Sequence, residues 1–303
     1  FGSSQESFVI SPSTLCLMES DTAASERGEF PPLRPSPGPI KFGGHFTRVL
    51  ENTLDRVDAG DPGIEPYIVH KTDEFVTMYD GYPKAAVHLL VLPRQQVNSL
   101  ADLLPIHLPM LRQLGAYVAW VIEGVAKARP ELQFTHGIHA VPSLFQLHVH
   151  VLSQDFCSPC MKNAKHYNSF QPPFLVLLDD VTVSLQDGNS LRVQFELAHA
   201  KQRMEKRELQ CNRCGKEFRR SFAELKRHLA TCTARPAETP APRRWRSCLT
   251  PLLDGAVDSS AGCSAMLGSS SVAPIAAQAA EEECIDEMAR GKRAKVVDIV
   301  DLT

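Results

Sequence analysis

No apolar run in this chain approaches the length of a membrane-spanning helix, and the N-terminus carries no signal-peptide pattern. Those absences argue against a helical membrane protein, and no membrane partner is expected. A strong charge of either sign is missing too: 32 Lys plus Arg face 35 Asp plus Glu, for a net charge of -3. An even set of cysteines is also lacking. Nine is odd, and four potential ligands stand at metal spacing, which points to a reducing, intracellular protein with a metal site, away from a disulfide scaffold. The first residue is Phe, not Met, which leaves room for an upstream domain outside the sequence. What is present is 303 residues, 43% hydrophobic, enough for one substantial core with a small module and tails.

The near-neutral total hides a local imbalance. Between residues 156 and 235, 14 Lys and Arg stand against 8 Asp and Glu. A basic stretch around a metal motif suggests a polyanionic partner, although mixed charge more often marks a solvated face.

Residues 145–152 read F-Q-L-H-V-H-V-L. Apolar residues alternate as in a strand with one buried face, which puts His148 and His150 on the same side, roughly 7 Å apart along the backbone. Two imidazoles that can be neutral, fixed side by side on a rigid strand, can grip a phosphate and attack it. The plainer alternative is a half-buried strand whose polar face happens to carry histidines.

Around that stretch the chain alternates strand and helix signals. Residues 1–40 are rich in Ser, Pro, Gly and Glu and are expected to be disordered. A short amphipathic helix is expected over 42–54, strands over 67–69, 75–79 and 87–92, and a turn at Asp80, Gly81, Tyr82 and Pro83. Ser99 and Asp102 form a candidate capping pair ahead of a helix, and Pro105 and Pro109 interrupt its first part. From Met110 to Pro130 the 3.6-residue period is clear, with Met110, Leu111, Leu114, Val118, Val121, Ile122 and Val125 on one side. Residues 134–140 form another strand, 153–170 a polar and basic loop, 181–185 a further strand, and 198–210 a charged helical linker. Beyond 236 the chain is Ala-, Ser- and Pro-rich and expected to be disordered. The pattern as a whole is α+β, an antiparallel sheet with packed helices and a small metal module.

That module is Cys211, Cys214, His228 and Cys232, spaced C-x2-C-x13-H-x3-C. Ser221 and Glu224 suggest a capping box that starts a helix at Phe222, so His228 and Cys232 lie one turn apart and face the same way. Tetrahedral zinc needs this convergence, and a core of Phe218, Phe222, Leu225 and Leu229 is too small to fold without it. Arg213, Lys216, Arg219, Arg220, Lys226 and Arg227 leave the finger basic and able to neutralise phosphates without reading sequence. Many single fingers are instead structural or bind protein.

Four further stretches occur in order: Y-P-K-A-x-x-H-x-L-V-L-P at 82–93, G-I-H-A-V-P-S at 137–143, H-V-H-V-L-S-Q-D-F at 148–156 and S-P-C-M-K-N-A-K-H-Y-N-S-F at 158–170. With the finger behind them, residues 40–235 resemble the aprataxin family, histidine-triad nucleotide hydrolases fused to a zinc finger. The resemblance implies a histidine-triad catalytic domain over 41–175, a linker and C2HC finger over 176–235, and tails over 1–40 and 236–303. It implies a nuclear DNA 5'-adenylate hydrolase that releases AMP from abortive ligation ends in single-strand break repair. His148 would be the nucleophile that carries AMP covalently. His150 would support the phosphate and His139 the leaving group. His88, Lys84, Ser143 and Gln146 would lie near the phosphates, with Lys165, His166 and the finger's Arg219, Arg220, Lys226 and Arg227 on DNA. One structural Zn2+ is implied, with no cofactor for catalysis. Two departures stand out: Gln146 where the family carries a third histidine, and Cys232 where a second histidine ligand is common. Cys157 and Cys160 read as ordinary loop cysteines. Two other classes remain, a general hydrolase of small AMP conjugates and a non-catalytic nucleic-acid-binding protein.

The tail holds Lys292, Arg293 and Lys295, a short nuclear-import-like cluster, and then Val296, Val297, Asp298, Ile299 and Val300. This last run resembles a SUMO-interacting motif, which docks by adding a strand to a sheet edge. A chance apolar tail is the alternative.

Overall fold

The computed structural model describes residues 28–39, 45–219 and 221–235. The elements in chain order are α1 (Val49–Asp58), β1 (Ile68–Lys71), β2 (Phe75–Tyr79), β3 (His88–Pro93), α2 (Leu108–Ala128), β4 (Phe134–His139) and β5 (Val149–Ser153). They continue with α3 (Ala164–Asn168), β6 (Leu175–Val176), α4 (Leu178–Gln186), α5 (Leu191–Gln194), α6 (Leu197–Lys206) and α7 (Phe222–Thr231). Among the described residues the strands form one antiparallel α+β sheet in the order β1-β2-β3-β5-β4-β6. None of the described helices is long and apolar enough to cross a membrane.

Side chains alternate across a strand, so each strand feeds both faces of the sheet. Leu89 and Val91 of β3 and Val149 and Val151 of β5 pack with Leu114, Val118 and Val121 of α2 on one face. The opposite face carries two separate apolar patches. Val76, Met78, Leu90 and Leu92 meet Leu50, Leu54 and Val57 of α1. Leu152 meets Phe156, Tyr167 and Phe170, and beyond them Leu225 and Leu229 of the finger helix α7. His88 shares its side with Leu90 and Leu92, and His150 shares its side with Leu152, so these histidines fall where the two patches adjoin. Gly137 lets β6 approach: a Cβ there would sit 2.7 Å from Leu175 Cγ and 2.8 Å from the Val176 carbonyl oxygen.

The structure corrects several sequence expectations. The strand expected over 145–152 begins only at Val149, because Gln146 adopts φ 76° and turns the chain. Its five strand residues are all buried, so it has two covered faces and not one. Residues 181–185 are helical, within α4. Leu178, Val181 and Leu185 follow the helical period, and Asp179 and Asp180 lie in the first turn, where carboxylates favour a helix start. The basic loop contains α3, whose start is capped by the Asn163 side chain accepting from the His166 amide at 2.9 Å. The charged linker is part of the core: Leu197, Ala200 and Met204 of α6 are buried with α2 and the sheet.

The early helix begins at Val49, later than expected, and runs to Asp58; residues 42–44 lie outside the described part. Ser99 Oγ donates to Asp102 at 2.7 Å at a 3-10 turn, and Ser221 makes no side-chain capping bond to α7. Residues 28–39, expected to be disordered, lie along the sheet edge: the Arg34 amide donates to the Tyr79 hydroxyl at 2.6 Å and its guanidinium to the Ile68 carbonyl at 3.0 Å. Residues 1–27, Arg220 and the tail from 236, with its import-like and SUMO-interacting readings, lie outside the described residues.

Candidate active site and zinc centre

Four histidines from three strands and one turn converge. His88 comes from β3, His139 from β4, His150 from β5, and His148 from the turn just before β5. Ring centroids are 4.2 Å apart for His139 and His150, 4.9 Å for His148 and His150, and 5.2 Å for His88 and His150.

Their hydrogen bonds fix the tautomers, because each neutral ring has one donor and one acceptor nitrogen. His148 Nδ1 lies 2.8 Å from the Gln146 carbonyl oxygen, which can only accept. The proton therefore sits on Nδ1, and Nε2 keeps its lone pair. The Lys84 amide donates to His88 Nδ1 at 3.2 Å, so His88 carries its proton on Nε2. That nitrogen lies 3.0 Å from His150 Nδ1 and 3.6 Å from an Asp80 carboxylate oxygen. His150 Nδ1 must then accept, which leaves an N–H on His150 Nε2. His150 Nε2 and His139 Nε2 are buried with no protein partner. A buried orphan donor costs about 1–3 kcal/mol, a penalty that an anionic oxygen in the pocket would offset.

Burial lowers the pKa of all four rings. His88 is pushed down to about 4, chiefly by burial and against the pull of Asp80. His139 and His150 lie well below the ordinary histidine value through burial and their mutual charges, and His148 is lowered by burial although its bond to Gln146 opposes this. All are neutral at pH 7. His136, on β4, is also buried and lowered. In acid the unfolded chain therefore binds protons that the folded chain refuses. Stability is full above about pH 6.5 and is expected to fall as pH drops from there toward 4. Urea midpoints at pH 7 and pH 5 check this; an unchanged midpoint would contradict the buried, neutral rings.

The other expected site residues surround this cluster at varying distance. Lys84 is half-buried and its Nζ donates to the Tyr82 carbonyl at 2.9 Å. Ser143 is exposed in the turn that leads to His148. Gln146, expected near the phosphates, gives its amide N–H groups to the Pro93 carbonyl at 2.6 Å and the Gln95 carbonyl at 3.1 Å, so its amide anchors the turn. Lys165 is exposed and 3.2 Å from Glu205. His166 Nδ1 accepts from the Lys162 amide at 3.2 Å, and burial with nearby Lys84 pushes the ring down to about 4. Lys226, expected on DNA, donates to the carbonyls of Met161 at 2.9 Å and Ser158 at 3.3 Å, so it clamps the finger to the catalytic domain. Arg219 and Arg227 are exposed. Burial and then Asp155 push the Cys157 thiol up to about 11, which makes it a poor thiolate.

Sequence reasoning missed two neighbours. Asp80 stands eight residues before His88, in the turn, and gave only a turn signal. Phe170 packs against the cluster, with ring centroids 4.9–5.3 Å from His88, His139 and His150. Its place at the end of N-S-F was the only hint.

At the finger, the ligand atoms of Cys211, Cys214, His228 and Cys232 all lie within 4.8 Å of one another. Cys214 Sγ is 3.2 Å from His228 Nε2, and Cys211 Sγ is 4.0 Å from Cys232 Sγ. Three thiols and one imidazole converging at such separations fit tetrahedral zinc, which prefers sulfur and nitrogen ligands.

Comparison with known proteins agrees with this arrangement. The family model "Scavenger mRNA decapping enzyme C-term binding" matches residues 61–166, and "C2HE / C2H2 / C2HC zinc-binding finger" matches residues 171–235. Aprataxin of Danio rerio is 36% identical over 188 residues, covering 62% of this chain and 54% of the fish protein. An aprataxin-like protein of Schizosaccharomyces pombe is 32% identical over 179 residues, covering 54% of this chain and 72% of that protein. A crystal structure of the aprataxin ortholog Hnt3 in complex with DNA is 27% identical, covers 62% of this chain and 94% of that chain, and superposes with a TM-score of 0.48. The chain spans about half the length of the aprataxins of Danio rerio and Gallus gallus. A histidine cluster on this sheet, with a cysteine-rich finger packed against it, defines a histidine-triad protein. More narrowly, the chain belongs to the aprataxin family.

Proposed function

We propose that this protein is a nucleotide hydrolase that removes AMP from adenylated 5' ends of DNA. The observation that carries the reading is the bond from His148 Nδ1 to the Gln146 carbonyl, because it leaves the Nε2 lone pair for attack. His148 Nε2 attacks the AMP phosphorus, the phosphoanhydride bond breaks, and the DNA 5'-phosphate leaves with the bonding pair. Water then attacks the histidine–AMP bond, releasing AMP and a proton and restoring the neutral ring. His150 Nε2–H faces a non-bridging oxygen, and His139 attends the leaving phosphate. Phosphate is already a good leaving group, so the protein mainly positions the reactants and stabilises developing charge.

Several features support DNA as the carrier of the adenylate. Relatives over more than half the chain are aprataxins. Arg219 and Arg227 stand exposed on a finger that rests against the catalytic domain, where they can meet backbone phosphates. In this reading zinc holds the finger's fold, and the protein works in the nucleus at DNA breaks. Residues 296–300 would dock a SUMO-type partner.

The test offers the wild-type chain adenylated nicked DNA and a small AMP phosphoramidate. AMP should leave the DNA faster, and raising salt should slow the DNA reaction steeply while sparing the small substrate. Faster turnover of the small substrate, or salt-insensitive DNA turnover, would count against DNA as the natural substrate.

A further inference from the structure

Arg219 and Arg227 of the finger are proposed above to meet the DNA backbone, yet the finger's packing also reaches the chemistry. Phe170 is buried, with its ring nearly perpendicular to two catalytic-site rings. The interplanar angle is 89° to His88 at 5.3 Å and 90° to His150 at 5.2 Å, and the ring is tilted against His139 at 4.9 Å. Three of the four histidines thus lean on one phenyl ring.

Away from the histidines, the ring stands 6.5 Å from Phe156 and belongs to an apolar cluster that reaches the finger. Phe170 lies in the same apolar cluster as Phe218, Leu225 and Leu229. One turn earlier, the Tyr167 hydroxyl donates to the Gln210 carbonyl at 2.8 Å and accepts from the Asn212 amide at 2.8 Å. Gln210 and Asn212 flank the zinc ligand Cys211. Between Tyr167 and Phe170 in sequence, Asn168 donates to the carbonyls of Met204 and Arg207, both at 3.1 Å, on the segment that leads into the finger. The short run from 167 to 170 is therefore fastened to the zinc knuckle at one end and to the histidine rings at the other. A close-packed interior transmits such displacement because it has little free volume in which to absorb it.

We propose that Phe170 is a positioning residue that couples the zinc finger to the histidine site. Its ring sets the placement of His88, His139 and His150, and the folded finger sets the placement of the ring. The consequence is specific: turnover of a substrate too small to touch the finger still depends on the finger being folded. This rests on the histidines being the hydrolytic site, as proposed above.

The experiment uses the full chain with zinc, 15N-labelled at its imidazoles, in the wild type, Phe170→Leu and Phe170→Ala. Phe170→Ala should lower kcat for the small AMP phosphoramidate by about 100-fold, the scale of an ångström's misplacement. KM should stay within about threefold. The resonances of His88, His139 and His150 should move, while His136 on the opposite face of the sheet stays in place as a control for folding. Phe170→Leu keeps the wall apolar and should recover most of the activity. Chelating zinc from the wild type should move the same three resonances. The coupling is overturned if zinc removal leaves those resonances and the small-substrate activity unchanged, or if Phe170→Ala moves the His136 resonance as far as theirs. If the wild type turns over neither substrate, the hydrolase reading falls, while the resonances still decide the coupling.

Discussion

Replacing His148 by alanine is expected to lower AMP release from adenylated nicked DNA by about 10,000-fold, or roughly 5 kcal/mol of transition-state stabilisation. The size comes from the path. Without the ring no covalent intermediate forms, and water must displace the DNA 5'-phosphate from the adenylate directly, with no positioned nucleophile. The neighbouring rings remain to hold the phosphate, so DNA binding should change little. A second readout makes the prediction sharper. With DNA labelled in the adenylate phosphate, wild type quenched in alkaline denaturant, where a histidine–phosphorus bond survives, should retain label on the protein, and His148→Ala should retain none. Label on the variant, or AMP release at the wild-type rate, would exclude His148 as the nucleophile. The substitution also strips the Gln146 carbonyl of its partner, at a cost of about 1–3 kcal/mol in stability. A small loss in melting temperature is therefore expected alongside the loss of activity.

Zinc removal is the second large effect. The finger's own interior is a few side chains, among them Phe218, Leu225 and Leu229, which is too little to offset the entropy of ordering residues 209–232. Zinc bound to such a ligand set supplies on the order of 10 kcal/mol, and in a small metal module that is folding free energy. Chelation should unfold α7, and His228→Ala should do the same at ordinary zinc concentrations. Because the finger's apolar side chains share a cluster with Phe156, Tyr167 and Phe170, the damage should spread beyond it. Hydrogen exchange is the measurement. Amides of 209–232 should lose protection, and those of α3 should lose it with them, while the α2 face of the sheet stays protected. Retained protection at 209–232 without metal would mean that zinc does not hold the finger together.

Legibility in the sequence tracked the range of the interactions. The strands β2 and β3 and the helix α2 could be read because their periods persist over five or more residues and their packing obeys the same period. The segment that became α4 misled because V-T-V-S-L alternates over five residues. Leu178, outside that window, completes the helical stripe. Gln146 misled for a different reason. Nothing nearby in sequence announces a left-handed residue there. The carbonyls of Pro93 and Gln95, some fifty positions away, hold its amide and turn the chain. The histidine pair at 148 and 150 was visible as an alternation, and the zinc ligands as a spacing. The contact between His88 and His150 and the approach of Asp80 come from strands paired across the sheet, and Phe170 arrives from the segment after α3. Those pairings are tertiary facts that a local pattern does not hold. The burial of α6 is illegible for the same reason, since this charged stretch looks solvated until its buried side is known.

The sheet's outermost strands have a consequence for how the molecule behaves in company. At one border β6 is two residues long. At the other, β1 is four residues long with an irregular register between Ile68 and His70, and the guanidinium of Arg34 occupies the Ile68 carbonyl. A bare, lengthy border of unpaired amides and carbonyls invites a neighbouring chain to extend the sheet and start an aggregate. Here each border is too brief, too bent or already taken, so a crowded solution offers these strands little to recruit.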